Sequence, residues 1–375
     1  MRTVENISEV VSNFNCEVDI NSLKTYGSGH INDTYFIKNV NSSGCDYLLQ
    51  RINHHIFKDV PQLTSNMCKV IDHLKDKLLL SGSGNPEKEV MTLVPAKNGL
   101  YFYLDSNGDY WRLSYFLKNT KSYDVVETEK QAYEGGKAFG KFQAMLADLP
   151  TGILYEVIPD FHHIGRRLEQ LNDAIVKDAA DRLESVAAEL DIIKTYADSM
   201  SYFQQPEQII GLPKRVIHND TKFNNVLLNI KDEAQCVIDL DTVMDGYIAY
   251  DFGDAVRTII NTTVEDEADL SKIRLNIPLF NAYTKGYLKE AGQFISNTEL
   301  NSLFKGVLLL PYMQSVRFLT DYLNGDQYFK IKFEGHNLQR TRAQLQLLKM
   351  LDQSSEILQH TILSEMEHYR RVKSN

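Results

Sequence analysis

Residues 214–257 read KRVIHNDTKFNNVLLNIKDEAQCVIDLDTVMDGYIAYDFGDAVR. Two short apolar runs in it, Val216-Ile217 and Cys236-Val237-Ile238, each lead straight into polar residues. Runs of that length, bounded in that way, read as buried strands. The first delivers His218, Asp220 and Asn225, and the second delivers Asp239 and Asp241. Two strand ends therefore carry acid groups toward a common cleft.

The spacing His-x-Asp-x-x-x-x-Asn matches the catalytic loop of protein kinases, where the Asp accepts a hydroxyl proton and the Asn holds Mg²⁺. An acid after the following strand then holds the metal. Phosphoryl transfer asks for in-line positioning, cations against phosphate oxygens and a carboxylate that orients the attacking hydroxyl. On that reading Asp220 is the catalytic base, and Lys222 lies where it can contact the γ-phosphate. Asn225 and Asp239 are metal ligands, and Asp241 is a second ligand or a brace for the loop. One or two carboxylates plus substrate phosphates suit Mg²⁺, whereas zinc would call for Cys or a second His in the cluster. His218, directly behind two apolar residues, is expected to be buried and bonded to backbone. Asp251 and Asp254 in YDFGDAVR are expected to brace the loop and a helix start, because no apolar strand precedes them and Asp239 already fills the metal position.

Upstream, SLKTYGSGHINDTYFIKNVNSSGCDYLLQRIN reads as strand, glycine turn, strand, Asn-Ser-Ser-Gly turn and strand. Gly27 and Gly29 at the first turn would let backbone amides approach a phosphate. Asn32 stands where a third glycine of a kinase-type loop would be. Residues 4–14 read as a short amphipathic helix, residues 61–80 as a helix opened by Pro61, and NGLYFYLDSNGDYWRLSYFL as a hairpin. Beyond the connector at Tyr115–Lys121 the pattern turns helical over 129–149, 164–205, 265–292, 297–324 and 335–373. The expected fold is α+β and bilobal, with a β-rich first lobe over residues 1–117 and an α-rich second lobe over 118–375.

A chain of 375 residues has ample length for two such lobes. The net charge of −10 argues against nucleic-acid or anionic-membrane partners, which need a basic footprint. Four cysteines without a Cys-x-x-Cys pair suggest neither zinc nor a disulfide framework, and a reducing cytoplasm is the expected location. The N-terminus lacks the apolar core of a signal peptide, and no apolar run is long enough to span a bilayer.

VIHNDTKFNNVLLN followed by VIDLDTVMDGYIAYDFGDAVR resembles the aminoglycoside phosphotransferase and choline kinase superfamily, whose fold is similar to that of protein kinases. Within it, the match is closest to the bacterial N-acetylhexosamine 1-kinases. GSGHINDTYFIK, YLLQRIN, VRFLTDYLNGDQYFKI and NLQRTRAQLQLL extend the resemblance along most of the chain. The resemblance implies ATP and Mg²⁺, and a sugar phosphorylated on its anomeric hydroxyl. It implies that Asp220 is the base and that Asn225 and Asp239 hold the metal. His30, Asn32, Asp33, Arg317 and Tyr328 would meet sugar or phosphates. Arg317 has an alternative partner in Asp321, four residues on. Arg51, Tyr115 and Leu117 would serve the nucleotide. The third strand departs from the kinase pattern: it ends in Gln50-Arg51 rather than in a lysine, and either residue can point inward. Helix 61–80 offers Asn66 where kinases place a glutamate. A kinase of another small alcohol or aminoglycoside, and a non-catalytic nucleotide or sugar binder, are the competing readings.

Overall fold

The computed structural model describes residues 4–27, 31–82 and 84–374, which fold as two lobes around a cleft. Helix α1 (Val4–Ser12) precedes strands β1 (Val18–Thr25), β2 (Asp33–Asn39) and β3 (Tyr47–Ile52). Helix α2 (Val60–Ser81), one turn α3 (Pro86–Glu89) and strands β4 (Leu93–Val94), β5 (Tyr103–Leu104) and β6 (Tyr110–Tyr115) complete the first lobe. The strands form an antiparallel sheet ordered β1-β2-β3-β6-β4, with β5 also paired to β6. Asp105 closes the β5–β6 turn: its Oδ1 accepts from the Asn107 and Asp109 amides and its Oδ2 from Trp111 Nε1.

Alternation along the strands gives the sheet two faces. Ile37, Tyr47, Leu49, Trp111 and Leu113 pack with Ile7, Val10 and Phe14 of the α1 segment. Thr34, Gln50 and Arg112 point the other way, toward the cleft.

The second lobe begins with β7 (Thr120–Lys121) and helices α4 (Glu129–Leu146), α5 (Ile164–Lys177) and α6 (Ala187–Met200). Strands β8 (Arg215–Ile217), β9 (Val226–Asn229), β10 (Ala234–Val237) and β11 (Met244–Gly246) follow. Helices α7 (Ile248–Ile259), α8 (Ile277–Ala291), α9 (Asn297–Leu323), α10 (His336–Gln353) and α11 (Ser355–Ser374) end the chain. β10-β9-β7 make one small sheet and β11-β8 a ribbon. The two apolar runs of the opening stretch are thus β8 and β10, as their bounded length predicts.

Three details differ from the sequence reading. The connector contributes a strand, β7, which pairs with β9. The helix expected from residue 265 starts at Ile277, because the Asn276 side chain accepts from the Leu279 amide and Pro278 occupies the first turn. The last helical segment breaks at Ser354 into two helices. The lobes also share a core: Met67, Val70, Ile71 and Leu74 of α2 pack with Phe142 and Leu146 of α4 and with Cys236 and Leu240. Among the described residues no helix is long and apolar enough to cross a membrane.

Candidate active site

The loop after β8 is held from below. His218 is fully buried, and its Nε2 donates to the Ile238 carbonyl at 2.9 Å. Asn219 has φ +66°, a left-handed conformation that Asn tolerates better than most residues. Its Nδ2 donates to the Thr242 and Met244 carbonyls at 3.0 and 3.3 Å. Asp251, in the first turn of α7, accepts from the His218 and Asn219 amides at 2.9 and 2.7 Å and from Gln143 Nε2 at 2.8 Å. This is the bracing role read from the sequence. Asp254 is buried against Arg257, which also pairs with Glu265. The glycine of the Asp251-Phe252-Gly253 triplet is a packing residue. A Cβ on Gly253 would meet the Gly306 carbonyl oxygen at 2.2 Å, where α7 crosses α9.

The kinked loop turns Asp220 into a cleft of about 380 Å³ that also presents Asn225, Asp239 and Lys222. Lys222 Nζ lies 3.0 Å from Asp220 Oδ1. Burial favours the neutral form of Asp220, but Lys222, His218 and Arg257 outweigh it and hold the carboxyl below its usual range. Burial opposes the charge on Lys222 too, yet Asp220, Glu265 and Asp254 raise its pKa. The Asn225 amide nitrogen donates to the Asp220 carbonyl at 2.8 Å and Oδ2 at 3.3 Å, which leaves the amide oxygen for a cation. Asp239, at φ +63°, starts the turn after β10. Burial first, and then the neighbouring Asp241 and Asp220, push its pKa up to about 6. A divalent cation would relieve that repulsion. Among the described residues no three His, Cys, Asp or Glu side chains form a metal cage. Two protein oxygens, completed by phosphates and water, fit Mg²⁺.

Asp241, read as a second metal ligand or a brace, has the contacts of a brace. It forms a buried ion pair with Arg112, whose Nη2 lies 3.0 Å from Asp241 Oδ2, and that oxygen also accepts from Asn32 Nδ2 at 2.8 Å. A cation already neutralises it. Arg112, from β6, is one residue that sequence reasoning missed. Only 1 % exposed, it also donates from Nε to Gln50 Oε1 at 2.9 Å. Gln50 faces the cleft, and Arg51, one residue on, faces outward to Asp33 and Asp109. Of the two residues left open by the sequence, Gln50 lines the cleft and Arg51 is paired with Asp33 and Asp109. The Tyr115 ring lies against Tyr47 on the outer face, 5.6 Å between centroids. Leu117 packs partly buried against the shared core. Asn66 fixes α2 by a pair of hydrogen bonds, 2.8 and 2.9 Å, with the backbone of Tyr155.

Asn32 reaches the cleft, whereas Asp33 is taken by Arg51, with Lys330 Nζ 3.8 Å away. Gly27 has φ +76° at the turn after β1. Gly29 and His30 lie outside the described residues. Arg317 and Tyr328 do not line the cleft that holds Asp220. They line an adjoining cavity of about 770 Å³ between the β3–α2 connection and helices α5 and α9. Arg317 does not pair with Asp321, which instead accepts from the Gln327, Tyr328 and Phe329 amides. Glu265, Asp266 and Arg340 line the Asp220 cleft and carried no local signal, since no motif brackets them.

The model of the phosphotransferase enzyme family, APH, matches residues 22–287. Solved structures share the fold at low identity. A microcompartment-associated aminopropanol kinase is 15 % identical, with TM-score 0.61, over 95 % of this chain and 98 % of that one. Choline kinase from Cryptosporidium parvum Iowa II is 13 % identical, with TM-score 0.58, over 94 % and 97 %. The spectinomycin phosphotransferase APH(9)-Ia, in complex with ADP and spectinomycin, is 12 % identical, with TM-score 0.57, over 94 % and 99 %.

Proposed function

The chain belongs to the APH phosphotransferase enzyme family, and as a small-molecule kinase of that family we propose that it uses ATP and Mg²⁺ to phosphorylate the anomeric hydroxyl of an N-acetylhexosamine. The observation that carries the chemistry is the convergence of Asp220, Lys222, Asn225 and Asp239 on one cleft. Asp220 is held ionised beside Lys222, while Asp239 is destabilised as an anion by its acidic neighbours.

The ionised Asp220 accepts the proton of the acceptor hydroxyl as its oxygen attacks the γ-phosphorus. The new O–P bond forms as the bond to the bridging oxygen breaks, and that electron pair leaves with ADP. Lys222 offsets charge beside the transferring group. Asn225 and Asp239 would hold Mg²⁺, which when bound neutralises phosphate oxygens. Arg112 acts at one remove, fixing Asp241 and Gln50 and so the turn that begins at Asp239.

Support for a sugar comes from the sequence motifs and from the mixed donors and acceptors around Asp220. Asn32, Asn224 and Arg340 stand there beside Asp124, Glu265 and Asp266, and since Glu265 is paired with Arg257 and Asp266 with Lys332 and His336, the wall suits a hydroxyl-rich ring better than a polyamine, which would favour free acids. Aminopropanol, choline and spectinomycin are named for structures of the same fold, so amino alcohols and aminoglycosides form the comparison set. The test is ATP consumption over N-acetylglucosamine, N-acetylgalactosamine, choline, aminopropanol and spectinomycin, with ³¹P–¹H correlation to locate the phosphate. Phosphate on C1 of an N-acetylhexosamine is expected. Turnover confined to a cationic acceptor would overturn the sugar reading.

A further inference from the structure

The larger cavity adjoins the catalytic cleft: Phe57 lines the cleft, while its neighbours Ile56 and Lys58 line the cavity. Its volume of about 770 Å³ is ample for a small molecule. Two guanidinium groups converge in it on Phe161. Arg167 Nη2 donates to the Phe161 carbonyl at 2.9 Å, and the Arg317 guanidinium lies 5.4 Å from the Phe161 ring centre. The next residue, His162, bonds the Asn219 carbonyl at 3.0 Å, so the pair sits close behind the catalytic loop.

Both arginines are held without a carboxylate. Among the described residues their hydrogen bonds go to neutral groups: Arg167 to Gln170 and Phe161, and Arg317 to Gln314. Arg167 Nε is buried with no partner. Asp160 is exposed and its charge acts on Arg167 without a hydrogen bond to it, and the acids that line the cavity are engaged or exposed. Asp321 holds the 327–329 backbone and Asn337, Asp59 caps α2, Glu156 accepts from the Asp160 amide, and Asp173 is exposed. Burial, and then the charge of Arg317, pull the Arg167 pKa down to about 10. The rings of Phe329 and Tyr328, 5.4 and 5.8 Å from the Arg317 guanidinium, fix its orientation. Two pre-set forks side by side match the paired oxygens of a carboxylate or phosphate. A neutral hydroxyl would satisfy a donor and leave the repulsion between the arginines.

We propose that this cavity is an oxyanion subsite, in which Arg167 and Arg317 hold a carboxylate or phosphate at the end of the acceptor remote from the reacting hydroxyl. The proposal rests on the kinase reading above for the side on which the acceptor lies. It deepens that reading from a neutral sugar to an acid-bearing one.

Calorimetric titration without ATP tests it, with glucuronic acid and N-acetylglucosamine 6-phosphate as the carboxylate and phosphate probes and N-acetylglucosamine as the neutral reference. The wild-type protein is expected to bind at least one acid about tenfold or more tightly than the neutral sugar. That preference is expected to fall to about twofold or less in Arg167→Gln and Arg317→Gln, with Arg167→Lys in between because it keeps the charge without the fork. Equal binding of acids and neutral sugar, or a preference unchanged in the variants, would overturn the subsite. Circular dichroism establishes that each variant is folded, and either glutamine variant alone suffices for the comparison. Turnover is read separately. Phosphorylation of neutral N-acetylhexosamines without acid preference removes the subsite and keeps the kinase reading, and acid preference without sugar turnover does the reverse.

Discussion

At the residue scale, buried groups hold the loop that carries Asp220 from beneath. His162 is an example, 8 % exposed, with Nε2 bonded to the Asn219 carbonyl and Nδ1 lacking a partner. Burial pulls its pKa down from 6.5 to about 3. The folded state therefore tolerates only neutral imidazole, so its contribution is complete above pH 6.5 and is lost as the pH falls toward 3. Each pH unit in that window removes about 1.4 kcal/mol from this site. Urea unfolding between pH 7.5 and about 5 is expected to give a steeper loss for wild type than for His162→Gln, by up to one proton's worth of slope. Parallel slopes would contradict it. The local chemistry was legible where spacing is local. His218, Asp220, Asn225 and Asp239 sit within 22 residues on two short strands, so reading the strands brings the side chains together. Asp241 was not separable from Asp239 in that way, because its partner Arg112 lies 129 residues upstream.

At the element scale, register decided what sequence could not. The pairs Gln50↔Arg112 and Arg51↔Trp111 place Arg112 inward and Arg51 outward, and a one-residue slip would exchange the roles. Within YWRLSY the lone arginine at the strand centre was the available signal, but its face follows only from knowing which neighbour strand it meets. Removing it by Arg112→Met should destabilise the protein by about 3–5 kcal/mol, because Asp241 is left charged and buried. Arg112→Met with Asp241→Asn should recover about 1–3 kcal/mol of that, measured by chemical denaturation as a double-mutant cycle. Additive effects would mean that the pair does not act as a unit. The α7–α9 crossing carries a second expectation. A Cβ on Gly306 would lie 1.8 Å from the Ala249 carbonyl oxygen, so Gly306→Ala should lose about 1–3 kcal/mol or push α7, and with it Asp251, away from the catalytic loop. An unchanged thermal midpoint would show that the crossing yields freely.

At the scale of the whole molecule, the two lobes are tied at the cleft itself. Arg112 and Asn32 from the first lobe hold Asp241 in the second, Asn66 clamps the Tyr155 backbone, and α2 shares a core with α4 and β10. The change from strand to helix along the chain foretold two lobes. That Arg167, Arg317 and the 55–62 segment would enclose one cavity did not follow from it, because those parts meet only through tertiary packing. On the proposed function, the cleft so assembled puts one ionised carboxylate, Asp220, where an acceptor hydroxyl and a phosphate would meet. The most direct test is the steady-state rate of Asp220→Asn with ATP, Mg²⁺ and the best acceptor of the sugar screen. Loss of the base should lower kcat by about 10²–10⁴-fold while KM for ATP stays within a few-fold of wild type. A near-normal kcat in a folded Asp220→Asn protein would contradict the assignment of Asp220 as the base.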